Sequence, residues 1–113
     1  MADISIHPTL LNGYAELAAD GELVTLVAGK EICLCAMVAT ISTGTATIYL
    51  KSGSTQIGAT HVIGPGSGFV LPGIMPDNET QCWKSTVAGE ALNLDVAGTT
   101  AVAVDFVYFT RTP

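Results

Sequence analysis

Residues 31–42 read EICLCAMVATIS. Apolar side chains fill almost every position. A two-residue period puts Ile32, Leu34, Ala36 and Val38 on one face and Cys33, Cys35, Met37, Ala39 and Ile41 on the other. A strand covered on both faces has this composition. A helix of the same length competes, because a continuous apolar run carries no diagnostic period. The β-branched side chains and the threonine-rich continuation through Thr43 and Thr45 favour the strand.

The flanking segments extend the same choice. Thr43-Gly44 marks a turn, and Thr45–Lys51 then alternates Ala46, Ile48 and Leu50 with Thr47, Tyr49 and Lys51, so these two segments are expected to form a hairpin. Residues 88–98, AGEALNLDVAG, alternate Leu92, Leu94 and Val96 with Asn93, Asp95 and Ala97 between two glycines. In Ala101–Thr110, Val102, Val104, Phe106 and Tyr108 alternate with Ala103, Asp105, Val107 and Phe109. Shorter strands are expected at Ile4–Ile6, ended by Pro8; after the Asp20-Gly21 turn, through Leu23, Val24 and Leu26; at Gln56–Ile63, broken near Gly58; at Phe69–Leu71; and at Thr80–Val87. Leu10–Ala19 fits helix, loop and strand alike, and Gly64–Gly68 is irregular. Val27-Ala28-Gly29 and Val87-Ala88-Gly89 are a weak internal echo, each preceding a pair of strands.

Eight to ten short strands, with a turn roughly every ten residues, predict an all-β chain: an antiparallel β-sandwich, jelly-roll-like, or a small barrel. No linker divides the 113 residues, so one domain is expected over 10–113, with 1–9 as a first strand or N-terminal arm.

Composition narrows the function. Apolar residues make up 49% and charged residues 12%, about half the usual share of charge. Such a chain suits an assembly in which partners cover apolar surface. The cations are Lys30, Lys51, Lys84 and Arg111, and the net charge is −6. Four dispersed cations cannot neutralise a run of phosphates, so nucleic acid is not an expected partner. The N-terminus lacks a basic region followed by an apolar run, so synthesis in the cytoplasm is expected. The mostly apolar stretch Ile32–Ile41 is too short to span a bilayer as a helix, and no membrane partner is expected.

Reactive constellations are thin. Cys33, Cys35 and Cys82 are an odd set, which argues against a disulfide framework, and Cys33 and Cys35, in an apolar run, read as small buried hydrophobes. His7 and His61 have no metal-ligand spacing, and no serine sits in a nucleophile elbow. Asp77 and Glu79 form a loop pair that reads as solvated, and Asn78-Glu79-Thr80 as a chance glycosylation match. Neither catalytic residues nor a metal or cofactor is expected. Trp83 and Tyr49 suit a sugar platform, or simply core and interface packing.

Trp83, Gly89, Leu92, Leu94 and Tyr108 together give the C-terminal run CWKSTVAGEALNLDVAGTTAVAVDFVYFTRTP. It resembles the ends of small structural proteins of tailed bacteriophages, in which a tryptophan strand leads to an A-G-E-x-L-x-L strand and a last alternating strand ending in an aromatic. The glycine–proline stretch before Phe69-Val70-Leu71-Pro72 is similar too, so the likeness covers about residues 65–110. The resemblance implies a virion component: a head decoration (cement) protein, often trimeric, bound to the major capsid protein on the outer shell. Ile4, Ile6, His7 and Pro8 are then candidate capsid contacts, through a strand added to a sheet edge. Trp83, Tyr108 and Phe106 are candidate core or interface aromatics. The alternatives are a neck, tail or baseplate component, a glycan-binding β module, and a thiol-dependent enzyme.

Overall fold

The computed structural model describes residues 9–65, 68–71, 82–98 and 100–113. Among them are ten strands and no helix. The strands are β1 (Leu11–Leu17), β2 (Gly21–Val24), β3 (Glu31–Ile41), β4 (Ala46–Ser52), β5 (Thr55–Gln56), β6 (His61–Ile63), β7 (Gly68–Leu71), β8 (Lys84–Ser85), β9 (Leu92–Gly98) and β10 (Val102–Arg111). They form two antiparallel sheets, so the chain is a β-sandwich. The first sheet runs β1-β10-β3, with β7 and β8 both paired to β3; the second runs β2-β9-β4, with β5 and β6 both paired to β4. Ile4–Ile6 lies outside the described residues. The ambiguous segment after Leu10 is strand, and the strand expected at Thr80–Val87 is, among the described residues, the two-residue β8.

The expected hairpin between 31–42 and 45–51 does not form. β3 pairs with β10, β7 and β8, whereas β4 pairs with β9, β6 and β5. The turn at Gly44, with φ of 73°, carries the chain across the core into the other sheet. Each strand has a buried apolar face, and these faces meet across the sandwich rather than lying side by side. β9 and β10 repeat the device in the opposite sense, so that β4 lies against β9 and β3 against β10. The echo in the sequence has a structural counterpart. Lys30 N donates to Val27 O and Glu90 N to Val87 O, both at 3.0 Å, and Gly29 and Gly89 take φ of 72° and 80°. Both are turns whose third residue needs a left-handed backbone, which glycine adopts without a steric cost.

Faces on β3 also differ from a uniform alternation. Opposite β10 the register slips, with Val107 facing Ala36 and Tyr108 facing Leu34, so Cys35 is the extra residue of a β-bulge. A bulge exchanges the two faces beyond it. Ile32, Leu34, Met37, Ala39 and Ile41 therefore all join the central core, while Cys33 and Cys35 turn to the opposite face under Phe109. Val102, Val104 and Phe106 complete this side, and Ile48, Leu50, Leu92, Leu94 and Val96 supply the other.

Two buried polar side chains tie the lower end. Ser52 Oγ donates to Glu90 Oε1 at 2.6 Å and accepts from Val87 N at 2.9 Å. Thr86 Oγ1 accepts from Ile32 N at 2.9 Å, and Thr86 N donates back to Ile32 O. Among the described residues no buried side-chain nitrogen or oxygen lacks a partner. Thr86→Val keeps the shape and orphans the Ile32 N–H. It is expected to lower stability by about 2 kcal/mol, measured by urea unfolding, since a buried unpaired donor carries its full desolvation penalty.

Candidate functional site

The outer faces of the two sheets are chemically unlike. On the second sheet, Lys51 on β4 lies 3.4 Å from Asp20 and 3.6 Å from Asp95 on β9. Asp20 Oδ1 accepts from Val96 N at 2.9 Å, and that bond, more than Asp95 or the Lys51 ammonium, holds its carboxyl below the ordinary 3.8. The Tyr49 hydroxyl bonds Asp95, which pushes the phenol upward. On this face Lys51 is shared by two carboxylates, and the exposed Glu22 of β2 accepts from Thr25 Oγ1.

On the first sheet the strand registers line up a row of four outward residues: Tyr14 on β1, Asp105 on β10, Val38 on β3 and Val70 on β7. Tyr14 is 85% exposed and Val70 63%. At the spacing of neighbouring strands this row is a stripe about 15 Å long. Asn12, Val107 and Ala36 form the next row on one side, and Glu16, Ala103 and Thr40 the row on the other. Most of the face is apolar or small. It carries two carboxylates, Asp105 and Glu16, and no lysine or arginine in these three rows.

The residues singled out in the sequence fall as follows. Phe106 is buried in the core, with Tyr108 half-buried beside it at 5.7 Å between ring centroids. Trp83 packs against the same core, and the Lys84 ammonium lies 5.5 Å from its ring centroid. Tyr49, His61 and Trp83 line one gap with Met37 and Leu94, but it holds only about 10 Å³, about one water and far less than a sugar ring. Ile4, Ile6, His7 and Pro8, and Asp77, Asn78 and Glu79, lie outside the described residues. No group of three His, Cys, Asp or Glu placed to hold a metal occurs among the described residues.

No protein-family profile, curated protein or solved structure matches this chain. Function therefore rests on the residues and on the geometry of the faces.

The sequence reading missed the apolar outer face. Val38 and Tyr14 carry no motif, and their row forms only when β1, β10, β3 and β7 come into register. It also missed the meeting of the three cysteines. Cys33 and Cys35 are buried with Phe109, and Cys82, from the segment before β8, packs onto them.

Proposed function

We propose that the chain is a non-catalytic structural protein of a tailed-phage virion, a head decoration protein that docks the outer face of its first sheet on the shell formed by the major capsid protein. The observation that supports this most is the Tyr14–Asp105–Val38–Val70 stripe, an exposed and mostly apolar row flanked by the carboxylate of Glu16, with no lysine or arginine in it or in the two rows beside it. The likeness of residues 65–110 to such proteins supports the virion setting. The uncompensated carboxylates favour a shell protein presenting a cation over a second copy of this chain. Face-to-face self-pairing would bring like charges together, at a cost of several kcal/mol. Several copies bound across subunit junctions stabilise a shell by multivalency alone, since opening one contact requires breaking others.

The test is co-sedimentation with isolated shells, alongside solution mass by light scattering. The wild-type chain is expected to be trimeric and to pellet with shells. Tyr14→Ala is expected to weaken binding about 30-fold, the size of an interface anchor worth about 2 kcal/mol. Val62→Asp, at a 74% exposed site on the second sheet, is expected to leave binding unchanged. A monomer that ignores shells overturns the proposal, as does equal binding by Tyr14→Ala. Labelling of intact virions separates the head from neck, tail and baseplate positions.

A further inference from the structure

All three cysteines converge at one end of the first sheet, outside the central core. Cys33 lies on β3 opposite Ser85 of β8. Trp83 N donates to Leu34 O at 3.0 Å and Thr86 N to Ile32 O at 2.9 Å, so the chain on both sides of β8 is fastened to β3. That fastening packs Cys82, one residue before Trp83, against the cluster of Cys33, Cys35 and Phe109. The Cys82 Sγ also lies 3.5 Å from Lys84 O. Cys35 points elsewhere, with its Sγ 4.0 Å from Cys33 O. Burial ranks the three: Cys33 and Cys35 are fully buried, whereas Cys82 is only partly buried.

We propose that Cys82 and Cys33 are a peroxide-sensitive dithiol pair that closes to an intrachain disulfide, leaving Cys35 reduced. Cys82, the least buried of the three residues, is the first that a small oxidant meets. Its thiolate attacks one oxygen of hydrogen peroxide; the O–O bond breaks, hydroxide leaves, and Cys82 becomes a sulfenic acid. Cys33 then gives up its proton, and its sulfur attacks the sulfenic sulfur. The S–O bond breaks, the S–S bond forms, and hydroxide leaves with that proton as water. Overall, two thiols and one peroxide give one disulfide and two waters.

The surroundings suit these roles. The neighbouring Cys33 thiol lowers Cys82 from the ordinary 9.0 to about 7; the Arg111 guanidinium helps, while burial and Glu31 oppose it. The neighbouring Cys82 thiol and burial push Cys33 upward, so it remains the protonated partner. Arg111 and Glu31 are themselves paired at 2.8 Å. A depressed, accessible thiol beside a buried resolving thiol is the arrangement that favours disulfide over further oxidation.

The test uses the full reduced chain, treated with hydrogen peroxide at pH 7 and mapped by non-reducing peptide mass spectrometry. The expected product links Cys33 to Cys82 and leaves Cys35 open to alkylation only after unfolding. The closed loop of about 50 residues should raise Tm by roughly 10 °C, reversed by a phosphine reductant. Cys82→Ser is expected to fold and to lose the peroxide response. Iodoacetamide labelling of Cys82 should rise with a midpoint near pH 7. The proposal is overturned if Cys82 over-oxidises to sulfinate with Cys33 still reduced, if the link runs to Cys35 or between chains, or if Cys82→Ser keeps the Tm response. None of these readouts depends on shell binding.

Discussion

Phe106→Ala should lower folding stability by about 4 kcal/mol, near the top of the range for truncating a buried aromatic. The ring is 3% exposed and sits on β10 between two neighbours, Met37 on β3 and Gly13 on β1. Gly13 has no side chain, and a Cβ built there would overlap the far edge of the Phe106 ring. The ring therefore fills the space that Gly13 leaves, and nothing on β1 can collapse into the void. Because residual cavity volume sets the cost, this site belongs at the expensive end. Urea unfolding with an unchanged slope measures it. Gly13→Ala, which clashes in the wild-type protein, should recover part of the loss when combined with Phe106→Ala, because the two positions share one volume. A loss below 1 kcal/mol for Phe106→Ala, or strict additivity in the pair, would show that the ring does not occupy this space.

How far the sequence carried the fold is clear from β9 and β4. Leu92, Leu94 and Val96, and Ala46, Ile48 and Leu50, are the core residues that their alternation picks out. The break near Gly58 separates β5 from β6. A period of two reports which residues are buried, but not which strand lies alongside. A strand paired within a sheet and a strand facing it across the core have the same pattern, so β3 and β4 read as a hairpin when they are a crossing. On β3 the period itself failed. Every residue from Ile32 to Met37 is apolar, so an extra residue at Cys35 leaves no polar marker to show where the faces exchange. The Val-Ala-Gly echo was visible but too short to weigh, since its force lies in the two matching turns and the reciprocal pairing of β3 with β10 and β4 with β9.

The candidate sites were less legible for the same reason. Cys33 and Cys35 were read correctly as buried, but Cys82 is distant in sequence, and only the pairing of β8 with β3 brings it to them. Tyr14, Asp105, Val38 and Val70 come from four strands spread over most of the chain. Such a surface is a product of register and has no local signature.

The corners where the chain crosses between sheets are the other place where one atom decides the packing. Gly98 ends β9 directly opposite Ala46 at the start of β4. A Cβ placed on it would lie 2.6 Å from Thr45 O and 2.9 Å from the Cα and Cβ of Ala46. These are backbone atoms and a buried methyl, so no rotamer change relieves the contact. The ends of β9 and β4 would have to part, and Ala46 would lose its place beside Ile63 and Val96 in the core. Gly98→Ala is therefore expected to destabilise by about 3 kcal/mol, the upper part of the range for overpacking. The loss should appear in full with alanine, because the first carbon is the offending atom. Ala97→Val, one residue earlier and exposed, should change stability by less than about 0.5 kcal/mol. If Gly98→Ala is as mild as Ala97→Val, the two strands do not approach this closely, and the corner is not what fixes the crossing of β4 against β9.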